Sequence, residues 1–272
     1  MCHVLQVSRS SYYAGSKKKQ SARSVFDGLL GVHVRTIFEE SNATYGVLRI
    51  QRKLRDEGLN AGKNRIARLM KELGLRVKTR RKFVVTTNAD HKRPVAPNLV
   101  KQCFEAGLPD QLWTGDITYI QTVEGWLYLA VVLDVFSRRI VGWSMSGRMK
   151  DDLVIEALRN ALYRRRPSPG FIFHSDRGSQ YCGKRYRALI AGAGGIQSMS
   201  ATGSCYDNAI TESFFGSLKM ELVHHCQYKN RAEARSSLFR YIEGFYNRQR
   251  IHSAIGYLSP IQFEELFLKK AA

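Results

Sequence analysis

The sequence predicts an α/β fold: a mixed sheet with flanking helices, preceded by a small helical domain of helix-turn-helix type. Three observations carry this expectation. Between residues 112 and 146 three strand-like runs follow one another, and helix and strand patterns then alternate, the order of a mixed sheet covered by helices. Between about 25 and 75 the apolar residues recur at helical spacing. The charge is also unevenly placed. The chain has 43 Lys+Arg against 23 Asp+Glu, a net +20, and residues 1–100 hold 21 basic and only 7 acidic side chains. An N-terminal third this basic points to a polyanionic partner, nucleic acid or an anionic membrane surface.

Taken in order, residues 1–24 read as a loosely packed basic arm, with Ser8-Arg-Ser-Ser-Tyr-Tyr13 and the run Lys17-Lys-Lys19. Residues 25–76 read as a helical DNA-binding domain with helices near 25–41, 47–57 and 63–73. Gly58-Leu-Asn-Ala-Gly62 supplies the turn before the third helix. In that helix Ile66, Leu69, Met70 and Leu73 form one apolar stripe. Lys63, Arg65 and Arg68 lie off the stripe and are the candidate DNA contacts; a merely solvated basic face would have the same pattern. Residues 77–105 read as a basic linker, because Pro94 and Pro97 oppose regular structure while Arg80-Arg-Lys82 and Lys92-Arg93 suit a phosphate backbone.

Residues 106–225 form the expected α/β core. Strands are placed at 112–120, 126–136, 139–146, 171–176 and 196–200, and helices at 151–165, 180–192 and from about 207 to 219. Residues 226–272 read as a C-terminal helical extension.

Several classes are excluded. The longest apolar stretch, Trp126 to Phe136, is eleven residues and contains Asp134, short of the roughly 20 that a spanning helix needs. The start, Met1-Cys-His-Val-Leu5, is followed by polar and basic residues and does not resemble a signal peptide. Five cysteines without a CxxC spacing favour reduced thiols in a cytosol, and His224-His225-Cys226 lacks a second ligand pair, so it reads as structural.

Three acids stand where a metal-dependent phosphoryl-transfer site would place them. Asp116 lies in the alternating run Trp113-Thr-Gly-Asp-Ile-Thr-Tyr-Ile120, Asp176 ends Phe171-Ile-Phe-His-Ser-Asp176, and Glu212 lies in a helix, with thirty-five residues separating it from Asp176. Carboxylates among apolar strands are costly unless a cation neutralises them, and hard divalent ions take oxygen ligands. On the helix, at 100° per residue, Asn208 lies about 40° and Lys219 about 20° from Glu212. An amide and an ammonium beside a carboxylate suit a metal bound to a phosphodiester, with Lys219 as a phosphate contact and Asn208 in support. His174 shares a strand face with Asp176, placed either to orient a water or phosphate or simply to pack. Each acid alone would read as a turn or solvated residue; it is the set, downstream of a basic domain, that points to catalysis.

The chain resembles insertion-sequence transposases of the DDE integrase superfamily, and in particular the second-reading-frame product of bacterial elements with two overlapping frames. The resemblance rests on Tyr45-Gly, Arg49-Ile, Arg68-Leu-Met and Gly74-Leu, then Pro94-Val-Ala-Pro-Asn98 and Trp113 to Ile120. It continues through Gly125-Trp-Leu-Tyr-Leu-Ala130, Leu133-Asp-Val-Phe-Ser-Arg138, His174 to Tyr181, Asp207-Asn-Ala with Glu212-Ser-Phe-Phe, and Tyr246-Asn through Arg250, His252 and Ser259-Pro260. It implies a ribonuclease-H-like integrase catalytic core whose acidic, metal-binding triad falls on Asp116, Asp176 and Glu212, with the basic residue seven positions on at Lys219. It further implies Mg²⁺, with Mn²⁺ as a substitute, double-stranded DNA as partner (element ends and target), a homo-oligomer on that DNA, and a place in the bacterial cytoplasm. Because the chain begins where the second frame's product would, the resemblance also implies dependence on the upstream-frame product.

Overall fold

The computed structural model describes residues 2, 4, 6, 8–16, 21–78, 95–100, 105–200 and 209–271. The chain divides into two compact units, Met1–Val77 and Lys78–Ala272. Most of the expected linker, the runs Lys17-Lys-Lys19, Arg80-Arg-Lys82 and Lys92-Arg93, and residues Asp207 and Asn208 at the expected start of the Glu212 helix lie outside the described residues.

The first unit holds four helices among the described residues: α1 (Arg9–Ser16), α2 (Ala22–Glu40), α3 (Val47–Asp56) and α4 (Lys63–Glu72). Within the stretch expected to be an arm, residues 9–16 are thus helical. The Ser21 hydroxyl caps α2 by accepting from the Ser24 N–H at 3.1 Å. The core joins Leu30, Val34, Ile37 and Phe38 of α2 to Ile50 and Leu54 of α3 and to Ile66, Leu69 and Met70 of α4. Gln51 of α3 donates to the Ala61 carbonyl at 2.8 Å and fixes the turn ahead of α4.

The second unit is built on five strands, β1 (Leu112–Thr122), β2 (Gly125–Asp134), β3 (Ile140–Ser146), β4 (Ile172–Ser175) and β5 (Ile196–Met199), in the order β3-β2-β1-β4-β5. The first three are antiparallel neighbours; β4 and β5 continue the sheet in parallel with β1. The helices are α5 (Asp151–Arg165), α6 (Lys184–Gly192), α7 (Ala209–Glu221), α8 (Arg231–Phe239), which runs into a π-helix at Arg240–Tyr246, and α9 (Pro260–Ala271).

Strand parity sorts the two faces. Trp113, Ala130, Val132, Val141 and Phe173 join α5 and α6 in one core. The alternate residues, Thr114, Asp116 and Thr118 on β1 with Leu129, Val131 and Leu133 opposite them on β2, face α7. This two-sided burial is why β2 reads as a continuous apolar run rather than an alternating one. Cys2, Cys182 and Cys226 form no disulfide, and among the described residues no helix is long and apolar enough to cross a membrane.

Asp134 closes the β2–β3 turn. Its carboxylate is fully buried and accepts from the Ser137 N–H (2.9 Å), the Ser137 hydroxyl (2.6 Å) and the Asp110 N–H (3.0 Å). Burial outweighs these donors and pushes its carboxyl up to about 6. A carboxyl raised on folding stabilises fully below its unfolded value and loses that contribution as pH rises through the folded one. The stability of wild type minus that of Asp134→Asn should therefore fall by up to about 3 kcal/mol between pH 3.5 and pH 7, read from urea unfolding followed by tryptophan fluorescence.

Gly142 lets α5 lie against β3. A Cβ there would meet the Ala157 carbonyl oxygen and come within 2.6 Å of the Ala161 nitrogen. Both are helix backbone and cannot swing aside. Gly142→Ala should cost about 3 kcal/mol, seen as a lower unfolding midpoint at unchanged slope.

Candidate active site

The register of β1 on β4 decides where the first two acids stand. Thr114 pairs with His174 and Gly115 with Ser175. Asp116 and Asp176 are the next residues on adjacent parallel strands, so their side chains leave the same face about 5 Å apart at the backbone. Asp116 Oδ1 accepts from the Ile117 N–H at 2.7 Å, and Asp176 Oδ1 from the Gly178 N–H at 2.9 Å. A Cβ on Gly178 would lie 3.0 Å from Asp176 Oδ1, so the glycine of Ser175-Asp-Arg-Gly178 is what leaves the carboxylate room.

Both carboxylates are half-buried. Burial first, and then the charge of Asp176, holds the Asp116 carboxyl well above the usual range; Glu212 adds to this and Lys219 opposes it. Glu212, in the first turn of α7, is more exposed, and burial raises it more modestly. What carries Glu212 to this face is its neighbour: the Thr211 hydroxyl donates to Thr114 Oγ1 at 2.7 Å, and both threonines are fully buried. The structure thus sets Asp116 beside Asp176 and brings α7 over them. Among the described residues it closes no group of three His, Cys, Asp or Glu side chains arranged to hold an ion. The donor chemistry does fit a hard cation: paired carboxylates, poorly solvated and repelling each other, are relieved by a divalent charge with oxygen preference.

Lys219 lies two turns along α7, half-buried, with its ammonium 4.8 Å from the centre of the Tyr119 ring. Burial pushes the ammonium below its ordinary value, while Tyr119 and Asp116 pull it back up. His174 is buried on the same face, and its Nδ1 lies 2.8 Å from the Ser198 hydroxyl of β5, so it holds the strands beside Asp176 together. Asn208 lies outside the described residues.

In the helical unit, Lys63 is exposed at the start of α4. Arg65 and Arg68 both close on Asp27 of α2, Arg68 at 2.6 Å, and Arg68 also reaches Glu72 at 2.9 Å. These guanidiniums, Arg68 foremost, hold the Asp27 carboxyl below its usual range. They tie α4 to α2 as well as charging the surface.

A second fixing of α7 escaped sequence reasoning. Glu221, fully buried, is gripped by Arg250 through Nε (2.9 and 3.0 Å) and Nη2 (2.7 Å), and by the Tyr241 hydroxyl at 2.7 Å. Arg250 Nη2 also donates to Ser217, one turn earlier, at 3.1 Å. The signal was present: Glu221 continues the apolar stripe of Phe214 and Leu218 at i+7 and i+3, where a carboxylate demands a buried partner.

Residues 107–205 and 212–268 match two family models, each described as an integrase core domain, and residues 27–83 match an HTH-like domain. The chain is 47% identical over 272 residues to the Insertion element IS600 uncharacterized 31 kDa protein of Shigella sonnei, spanning all of both chains. It is 45% identical over 266 residues to the Transposase InsF for insertion sequence IS3A of Escherichia coli (strain K12), covering 97% of this chain and 92% of that one. Over 248 residues it is 42% identical to the Transposase for insertion sequence element IS904 of Lactococcus lactis, covering 91% and 98%. A chain of the simian T-cell lymphotropic virus intasome, solved with PP2A regulatory subunit B56 gamma, shares the fold at a TM-score of 0.50 and 15% identity, covering 79% of this chain and 70% of that chain. The chain belongs to the IS3-type insertion-sequence transposases, enzymes built on a mixed-sheet integrase catalytic core behind an HTH-like domain.

Proposed function

We propose that the chain cuts and joins DNA strands by in-line phosphoryl transfer at a site formed by Asp116, Asp176 and Glu212 with Mg²⁺, for which Mn²⁺ can substitute. The observation that carries this reading is the pair of half-buried carboxylates on neighbouring parallel strands, with Asp116 driven toward its neutral form by burial and by Asp176. Asp116 and Asp176 are the principal ligands, oriented by the Ile117 and Gly178 N–H groups. Glu212 completes the set from α7. Bound Mg²⁺ would neutralise charge on the phosphodiester and favour the ionised form of the attacking oxygen.

Lys219 holds a DNA phosphate as a compact point charge. His174 positions Asp176 through β4, and Asn208, four residues before Glu212 in the sequence, supports it. Lys63, with the donors of Arg65 and Arg68 left over from Asp27, engages the DNA backbone from α4. Water cleaves one phosphodiester, and the freed 3′-hydroxyl then attacks a second strand and displaces its 3′-oxygen. No serine or tyrosine nucleophile is needed. The partners are double-stranded element ends and target, the protein works as a homo-oligomer on them alongside the upstream-frame product, and it does so in the bacterial cytoplasm.

Incubation with labelled 3′-hydroxyl DNA ends and Mg²⁺ should give joined strands; hydrolysis alone would identify a nuclease of the same fold instead. Asp116→Asn should abolish joining while DNA binding, measured by anisotropy, stays at the wild-type level. Full activity in that variant would defeat the proposal and leave a DNA-binding regulator.

The Thr211–Thr114 bond should matter for placing Glu212. Thr211→Val keeps the branched shape and removes the donor. It should lower the joining rate on the order of tenfold to a hundredfold with little change in DNA affinity, and Thr211→Ser should restore most of the rate.

A further inference from the structure

We infer that Trp126, backed by Tyr119 and Lys219, is a stacking site for an unpaired nucleobase of the DNA strand held at the carboxylates; this rests on the DNA reading above and adds a subsite to it. Trp126 is the second residue of β2, next to Gly125 at the turn, and is 44% exposed, which is a large apolar surface to leave in water. Its ring meets Tyr119 edge to face at 5.0 Å and 85°. Lys219 sits 4.8 Å over that same tyrosine ring, and its charge is felt at Asp116. Ammonium, phenol and indole therefore stand in sequence, Tyr119 and Trp126 on the sheet face opposite Asp116 by strand parity, with Lys219 reaching the phenol from α7.

The spacing suits a strand leaving the reaction centre. Tyr119 is three residues past Asp116 on β1, and the cross-strand partner of Trp126, Gln121, is five past it. At about 3.4 Å per residue these lie roughly 10 and 17 Å along the strand, within the reach of the next few nucleotides. β4 pairs with β1 only as far as Gly115, and beyond it, among the described residues, the edge of β1 is met by a single bridge, Thr122 with Tyr228.

The indole is also held in place. The Arg231 Nε donates to the Trp126 carbonyl at 3.1 Å, its Nη2 to the Glu124 carbonyl at 2.9 Å, and its backbone N–H to Glu124 Oε2 at 2.9 Å. A turn pinned this way presents a ring without an ordering cost on binding. A paired base inside a duplex has both faces covered by its neighbours. A frayed base offers an open face, and stacking accepts any base because each has a π surface, while a lysine alongside takes the phosphate.

The test uses the whole chain in the presence of a chelator, so that binding is read without chemistry. Two fluorescein-labelled duplexes share one arbitrary sequence, one blunt and one with a short 3′ overhang. Wild type should bind the overhang duplex more tightly, with quenching of tryptophan emission; Trp113 is fully buried and the Trp143 indole donates to Glu243, which leaves Trp126 as the exposed reporter. Trp126→Ala should weaken overhang binding by about tenfold and leave blunt-duplex binding as in wild type, and Trp126→Phe should keep most of the preference. Equal loss on both DNAs, no loss on either, or a wild type without preference overturns the inference, the last two assigning the indole to a protein contact. A failure of the catalytic proposal is registered separately, by the joining activity of the wild type in Mg²⁺.

Discussion

The parallel register of β1 against β4 is the constraint from which the site follows. Once Gly115 lies beside Ser175, Asp116 and Asp176 are neighbours on one face whatever the surrounding loops do. The register is enforced from the opposite face, where Phe173 packs so closely on Gly115 that a Cβ would come within 2.5 Å of the ring. Phe173 is itself held edge-on by Tyr186 at 5.6 Å in the core under α5 and α6. Apolar packing on one side of the sheet thereby holds two like charges together on the other. That conflict is a cost the fold accepts locally, and the raised carboxyl of Asp116 is its signature. Local conflict of this kind, over-determined by its surroundings, is characteristic of functional sites.

The third acid is placed by a different device. α7 is tied near both ends, by Thr211 to Thr114 and by Glu221 to Arg250, Tyr241 and, through Arg250, Ser217. A helix fixed at two points about 15 Å apart has little freedom to tilt, so Glu212 and Lys219 keep their offset from the strand acids. Arg250 lies beyond the integrase sheet, in the segment after the π-helix. The C-terminal extension is therefore part of the apparatus that orients α7. A buried ion pair is weak evidence of added stability but strong evidence of a single required geometry, because either partner left alone would be an uncompensated charge.

What was legible in the sequence was whatever local pattern dictates. The three antiparallel strands and α5 could be read from alternation and from helical spacing to within about two residues, and α2, α3 and α4 of the first unit to within about three. The acids were visible because carboxylates within β1, just after β4 and on a helix face break the apolar pattern. Hydrogen bonds between distant residues were not legible. Nothing in the neighbourhood of Thr114 or Thr211 announces that they meet, since β-branched hydroxyl residues suit both a strand and a helix interior well enough to pass unnoticed. Arg65 and Arg68 show the converse. Their positions off the apolar stripe were correctly read, but periodicity alone says nothing of Asp27 lying opposite on another helix.

The choice of lysine at 219 follows from the same electrostatics. Elsewhere in this unit the cations that meet buried carboxylates are arginines: Arg250 on Glu221, and Arg139 and Arg165 on Glu264. A guanidinium fork matches a carboxylate bidentately and stays charged, which suits a permanent structural pair. Within reach of Asp116 such a fork would compete with a divalent ion for the same oxygens. An ammonium over the Tyr119 ring is held by the π face instead. It lends a positive field to Asp116, and a compact ammonium suits a phosphate as a point charge. The arrangement separates the charge that steadies the site from the charge that the site is proposed to bind.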